Sequence, residues 1–206
     1  MPARLDGAPR EMFEALAPYL PAWQRFQVSN LWLMRPLVIR RLEETPANNA
    51  LVRTTTAPTI FQSGVKENVL PSQARAVVNF RILQGDSVAG VRAHVEKVVD
   101  DPHVRVQPLK QTISEPSPLS STRSASWGRI TSTIRALYPD AVIAPGLVVG
   151  ATDSRYFTPV AENVYRFTPI VMAPPDLKRF HGTDERYEIR QIATALEFFR
   201  RLMREE

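Results

Sequence analysis

The chain has 206 residues, of which 44% are hydrophobic and 23% charged, an ordinary composition for a globular protein of one large or two small domains. No stretch approaches the roughly 18 consecutive apolar residues that a membrane span needs. The absence of cysteine excludes disulfides and thiolate ligands, so any metal must be held by histidines and carboxylates. The net charge of +5 could suggest a nucleic-acid partner, but the arginines are scattered without a basic stripe, so we expect none.

The N-terminal segment is expected to be helical. Residues 8–44 predict two helices, interrupted at Pro18 and Pro21. The apolar residues at helical spacing are Phe13, Leu16, Ala17 and Leu20 in the first helix, and Leu31, Met34, Leu37, Val38 and Leu42 in the second. The additional apolar residues Trp23, Phe26, Trp32 and Leu33 widen this surface, which indicates burial on more than one side, in the core or against a partner subunit.

A change to a period of two marks the next segment. Residues 51–56 are rich in β-branched side chains and residues 77–82 alternate cleanly, so both predict strands. Between them, residues 64–71 predict a loop anchored by its own apolar side chains. Asp86 or Ser87 is expected to cap a valine-rich helix that ends at Pro102, before a short strand at 104–106. The order α-α-β-β-α-β predicts an antiparallel sheet with helices on one face.

The second half of the chain follows a segment rich in proline and serine. Residues 107–124 form this predicted linker, and a helix from Trp127 is stopped by Pro139. Buried strands are expected at 142–143, 147–149 and 164–167. The last and longest apolar-periodic helix carries Ile189, Ile192, Ala193, Leu196, Phe199, Leu202 and Met203. This α-β-β-α order is typical of one part of a larger α/β layer.

One histidine stands in a setting suited to metal binding. His181 is followed by Gly182 in a polar turn before the last helix, and Asp184 with Glu185 is expected on the first turn of that helix, where the helix dipole favours anions. An isolated loop histidine is more often simply solvated. His94, on the polar side of the valine-rich helix, and His103, in a turn, are assigned to solvent.

Three further positions could bind a substrate. Residues 150–155, Gly-Ala-Thr-Asp-Ser-Arg, follow an expected buried strand, where α/β folds place ligands, although a simple glycine turn would look the same. Asn68 could satisfy turn backbone groups, and Arg81 could be a surface ion-pair residue of little energetic weight. Alternatively, Asn68 and Arg81 form a fork for a substrate carboxylate.

Together these motifs resemble a known enzyme family. Residues 64–71 (GVKENVLP), 78–81 (VNFR), 150–155 (GATDSR) and 181–186 (HGTDER) are similar to those of the zinc-dependent amidohydrolases that include aminoacylase, carboxypeptidase S, glutamate carboxypeptidase and succinyl-diaminopimelate desuccinylase. The carboxypeptidase S-like branch is the nearest. The resemblance extends over almost the whole chain, and the four motifs occur in the family's order.

The resemblance implies an α+β fold in two parts. Residues 1–108 would be a ferredoxin-like lid or dimerisation domain, incomplete at its N-terminal side, and residues 109–206 the C-terminal part of an α/β zinc-peptidase catalytic domain. His181 would match the last metal ligand of a site that holds two zinc ions. Asn68 and Arg81 would hold the substrate carboxylate, and Gly150 and Thr152 would line the pocket with backbone amides.

The departure from the family pattern concerns the other metal ligands. The family's His-x-Asp motif, its Glu-Glu pair, a further acidic ligand and the lid histidine of a Gly-His-Ser stretch are all absent, and Glu43-Glu44 is better read as a solvated pair. The chain is therefore expected to be the C-terminal fragment of a hydrolase of N-acyl amino acids or peptides with a free carboxylate, inactive alone. The alternative is a non-catalytic dimerisation module, and the resemblance implies a homodimer in either case.

The compartment stays open. The first residues lack the apolar core of a signal peptide, but in a fragment any targeting segment would lie upstream. Both a cytoplasmic and an extracytoplasmic location therefore remain possible.

Overall fold

The structure, a computed structural model, describes residues 1–109, 113–150, 152–177, 179 and 181–204. Its N-terminal segment contains four α-helices and one 3-10 turn. They are α1 (Ala8–Leu16), the 3-10 turn Ala17–Tyr19, α2 (Ala22–Ser29), α3 (Leu31–Glu43) and α4 (Pro46–Val52). The predicted break at Pro18 and Pro21 is confirmed, since α1 and α2 lie on either side of it.

Two local signals were misread in this segment. The expected second helix is divided at Asn30, whose side-chain amide donates to the carbonyl of Phe26 at 2.8 Å. The strand expected from residue 51 begins only at Thr55. Residues 51 and 52 instead end α4, because the Thr45 hydroxyl caps that helix by accepting from the Asn48 amide, and Pro46 stands at its first position.

An antiparallel hairpin follows. Strand β1 (Thr55–Ser63) pairs with β2 (Ala74–Arg81), from Thr55 opposite Arg81 to Ser63 opposite Ala74, with an irregularity after Pro58. The connecting loop, residues 64–73, is not anchored as expected, since Val65 and Leu70 are 89% and 95% exposed. This two-stranded sheet is the only one among the described residues, so the mixed α+β class is confirmed in its coarse form.

Helix α5 (Val88–Val99) was correctly predicted. Of the two candidate caps, Ser87 is the one used, because its hydroxyl accepts from the Gly90 amide at 3.0 Å. The helix ends at Asp100, which has a left-handed backbone (φ 46°). The strand expected at 104–106 is absent, because these residues pair with no other strand in the described parts of the chain.

The core of the first half lies between the helices and the N-terminal segment. Its buried members are Leu5, Leu31, Val38, Leu42 and Val52. Beside it lies a polar network around the Asp86 carboxylate. Arg4 donates to Asp86 at 2.8 Å and to the Gln84 carbonyl at 2.6 Å. The hydroxyl of Thr54, which is 1% exposed, donates to the same carboxylate and accepts from the Leu83 amide at 2.9 Å. These contacts tie the N-terminus to the residues just before α5.

The second half contains α6 (Ala125–Leu137), a 3-10 turn (Asp153–Tyr156), the four-residue helix α7 (Pro174–Leu177) and α8 (Ile189–Arg204). The predictions of α6 and α8 are confirmed. The strands expected at 142–143, 147–149 and 164–167 are not formed in this part of the structure. Residue 164 is held instead by Ser120, whose hydroxyl exchanges hydrogen bonds with the Val164 backbone at 2.8 and 3.0 Å.

Helix α8 is fixed on its inner and outer sides by different contacts. Phe198 is 2% exposed, and its ring packs against those of Phe167 and Phe199 at 5.2 and 5.4 Å between centroids. On the surface, hydrogen bonds from Arg200 and then Arg201 lower the pKa of Glu197 to about 2. None of the described helices combines the length and the apolar character that a bilayer-spanning segment requires.

The chain divides into two units. The first comprises Met1–Leu119 with Ala144–Ala151, and the second Ser120–Ile143 with Thr152–Glu206. The continuous part of the first unit ends at Leu119, inside the expected linker, but the unit also includes Ala144–Ala151. The assignment of residues 1–108 to a lid and 109–206 to a catalytic domain therefore stays a prediction.

Candidate functional site

His181 lies on the surface of the second unit, in a turn after α7. Its backbone is left-handed (φ 58°), and its amide donates to a carboxylate oxygen of Glu185 at 3.1 Å. Asp184 also has a left-handed backbone (φ 64°) and pairs with Arg186 at 3.0 Å. The acidic pair is not on the first turn of the last helix, as expected, because α8 begins only at Ile189. The pair instead shapes the turn that presents the imidazole.

A complete metal site is not present in the described part of the chain. No three histidine or acidic side chains there lie close enough together to hold a metal ion. A catalytic zinc takes about three protein ligands and a water. The residues present therefore do not fit a catalytic metal by themselves, and His181 could supply at most one ligand to a site completed by other groups.

The glycine motif is split between the units, with Gly150 in the first and Thr152 in the second, and Ala151 lies outside the described residues. A Cβ atom added to Gly150 would meet no atom within 4 Å, so packing within this chain does not require glycine there. Thr152 precedes the 3-10 turn, and its hydroxyl contacts that of Ser154.

Arg166 holds the start of this turn, a role that the sequence analysis missed. Its Nε donates to the Ser154 hydroxyl at 2.6 Å and is 3.3 Å from that of Thr152. The only signal in the sequence is a charged residue inside an otherwise apolar run, residues 164–167, whose composition predicts a strand. Arg166 thus fixes a residue predicted to line a substrate pocket.

Arg81 ends β2 and reaches the segment before Gly150. Its Nη1 donates to the Val149 carbonyl at 2.8 Å, and both residues belong to the first unit. No carboxylate pairs with Arg81 among the described residues. The alternative of a surface ion pair therefore finds no support. The hydrogen bond joins the 78–81 motif to Val149, 68 positions after Arg81 and directly before the 150–155 motif.

Asn68 lies far from Arg81. It stands in the exposed turn that joins the strands, beyond the Ser63–Ala74 pair, whereas Arg81 closes the other end of the ladder opposite Thr55. Seven residues of extended chain between Ala74 and Arg81 span roughly 23 Å. The hairpin register does not bring the two residues together within one chain, and both the fork and their separate roles in substrate binding stay predictions.

The remaining histidines behave as expected for solvated side chains. The His103 ring is 92% exposed and lies 3.1 Å from the Asp101 carboxylate, and His94 is partly exposed on α5. Neither lies in a group of potential metal ligands among the described residues.

The sequence of the chain is similar to those of known proteins. The sequence profile of the peptidase dimerisation domain matches residues 13–107. A carboxypeptidase S-like protein of Dictyostelium discoideum is 42% identical over 180 residues, which cover 87% of this chain and 34% of that protein. No solved structure gave a significant match.

Two further relatives carry named activities. The N-fatty-acyl-amino acid synthase/hydrolase PM20D1.1 of Danio rerio is 39% identical over 199 residues, which cover 96% of this chain and 38% of the relative. Carboxypeptidase S of Saccharomyces cerevisiae is 28% identical over 180 residues, which cover 72% of this chain and 31% of that protein. The chain therefore spans about a third of the length of these relatives.

These matches support a family of peptidases and amidohydrolases that is generally zinc-dependent. The chain belongs to the M20 peptidase family, of whose members it represents the C-terminal part.

Proposed function

We propose that this chain is the C-terminal part of a metal-dependent hydrolase that cleaves amide bonds of N-acyl amino acids or of peptides with a free carboxylate. Residues 1–108 serve as the lid and dimerisation domain, and residues 109–206 end the catalytic domain. The observation that carries the proposal is the hydrogen bond from Arg81 to the Val149 carbonyl. It supports a common site, because it joins the predicted carboxylate-binding residue to the segment that precedes the predicted pocket loop.

In this proposal each residue has one task. Arg81 binds the substrate carboxylate, for which the planar guanidinium offers two parallel hydrogen bonds. Asn68 keeps its predicted role in substrate binding from the hairpin loop, at the end of the hairpin away from Arg81. Gly150, which has open space beside its backbone, and Thr152 each offer a backbone amide to the substrate. When bound, two zinc ions would activate water and polarise the amide carbonyl, and His181 would supply one of their ligands.

The chain alone is expected to be inactive, because no three histidine or acidic side chains among its described residues lie close enough together to hold a metal ion. The test is a chimera in which the matched segment of the Danio rerio relative is exchanged for this chain. With zinc, we expect the folded chimera to hydrolyse an N-fatty-acyl amino acid, measured as released free amine, and the isolated chain to give only the background rate.

Two results would contradict the proposal. Hydrolysis of the N-fatty-acyl amino acid by the isolated chain would show that its site is not incomplete. A chimera that has the circular dichroism and the elution volume of the parent relative, but no turnover with either acyl amino acids or peptides, would remove the hydrolase assignment.

A second role, dimerisation, is favoured by the match of residues 13–107 to the peptidase dimerisation domain. The hairpin supports it, because each strand of a two-stranded sheet has one edge without a partner in the described structure. We expect light scattering during gel filtration to give twice the chain mass of 23.2 kDa. A mass that stays monomeric at the highest attainable concentration would overturn this role.

A further inference from the structure

Helices α2 and α3 present an exposed aromatic face. It consists of Trp23, Phe26, Trp32, Leu33 and Leu37, which are 43–83% exposed, Trp32 the most. The Trp23 and Phe26 rings stack on each other, with centroids 5.6 Å apart. These side chains were expected in the core or at a subunit interface, and the structure excludes the core. Large apolar side chains grouped on a surface indicate a binding surface.

The position of the face on α3 follows from the helical period. Leu31, Val38 and Leu42 point into the core, so Trp32, Leu33 and Leu37 are held on the opposite side. Arg40 lies on that same exposed side one to two turns later, and Arg41 lies at its margin. The exposed side of α3 is therefore apolar in its first half and cationic at its end.

The charged side chains within the segment that carries the face have one sign. Residues 22–42 contain four arginines and no aspartate or glutamate. Arg35 pairs with Asp6 at 3.5 Å, and Arg25 donates to the Leu20 carbonyl at 3.4 Å. Arg40 and Arg41 have no ion-pair partner among the described residues. The acidic side chains nearest in sequence follow them, and of these Glu43 already pairs with Arg53.

We propose that the aromatic face docks on the surface of an anionic phospholipid bilayer. Tryptophan and phenylalanine insert at the boundary between headgroups and acyl chains, and arginines bind lipid phosphates, which is the pattern of interfacial helices. The absence of acidic residues across 21 positions favours an anionic surface over a second copy of this chain, because two copies of the face would bring like charges together. Docking of this kind is peripheral and independent of the proposed hydrolysis.

The test is co-sedimentation of the whole chain with vesicles. One set contains phosphatidylcholine only, and the other contains phosphatidylcholine with phosphatidylglycerol. We expect binding to the anionic vesicles, with a shift of tryptophan emission to shorter wavelength, and little binding to the neutral ones. Arg40→Gln combined with Arg41→Gln should weaken binding about 30-fold, the effect of two arginines at such a surface. Trp32→Ala should weaken it at least about tenfold.

Matched controls carry equivalent changes elsewhere in the first unit. Leu70→Ala removes an exposed apolar side chain from the hairpin loop, and Arg75→Gln removes an exposed charge from β2. Both should bind vesicles like the parent chain. Equal affinity for both vesicle types, no binding to either, or unchanged binding by the Arg40/Arg41 variant would overturn the proposal. So would a vesicle-free dimer that Trp32→Ala dissociates, because the face would then be covered by a second copy.

Discussion

Replacing His181 by alanine in the chimera with the Danio rerio relative is expected to reduce hydrolysis by more than about 100-fold. Loss of a residue that only supports a metal ligand already costs about 10–100-fold in metal affinity or activity, and the ligand itself should matter more. His181 is exposed in a turn formed by its own neighbours, so the change should leave folding intact. The measurements are the rate of amine release and the zinc content after dialysis.

The matched control is His103→Ala, which removes an exposed histidine outside the candidate site. It should retain both zinc and activity. If His181→Ala kept the zinc content and the rate of the unmodified chimera, the metal-ligand role would be wrong, although the hydrolase assignment could stand. If both histidine variants lost activity equally, the effect would be structural.

Replacing Asp86 by alanine is expected to destabilise the first unit by about 2–3 kcal/mol, because it removes a charged acceptor from the buried Thr54 hydroxyl and from Arg4, whose side chain is 33% exposed. The side chain of Asp86 is 9% exposed, and it accepts hydrogen bonds from Arg4 and Thr54. Its loss leaves the guanidinium and the buried hydroxyl without this acceptor. Asp86→Asn should cost less, because the amide oxygen can still accept one hydrogen bond.

The measurement is urea unfolding followed by tryptophan fluorescence in a Trp127→Phe background. Trp23 and Trp32 lie in the first unit and Trp127 in the second, so this background reports on the first unit alone. Asp6→Ala removes an ion pair whose side chains are 57% and 43% exposed, so it should cost less than about 1 kcal/mol. A free energy of unfolding for Asp86→Ala within 1 kcal/mol of the parent would show that the network contributes little.

Helices and strands that depend on residues close together in the sequence could be predicted from it. Helices α5, α6 and α8 have apolar residues at helical spacing, and α5 and α6 also begin at a serine cap. The alternation at 77–82 marks most of β2. Strands that need a distant partner were the main errors. The apolar runs at 142–143, 147–149 and 164–167 have the composition of strands, but they pair with no other segment in the described structure.

In the candidate site, too, features set by neighbouring residues could be predicted, whereas contacts between distant residues could not. A loop setting could be predicted for His181 and Asn68 from polar and glycine neighbours alone. Whether Asn68 and Arg81 lie close together depends on which strand ends pair, and the residues next to them in the sequence do not indicate that pairing. Arg166 bonds to Ser154, 12 positions away. Asp86 accepts hydrogen bonds from Thr54 and Arg4, which are 32 and 82 positions away. No local pattern in the sequence indicates such partners.

The contact between Arg81 and Val149 leaves most of the guanidinium available. An arginine side chain has five N–H groups, and the Val149 carbonyl takes one of them, on Nη1. The edge formed by Nε and Nη2 can still bind both oxygens of an incoming carboxylate. A ligand could therefore be captured without releasing the backbone that Arg81 holds, and the side chain would reach the binding event already oriented.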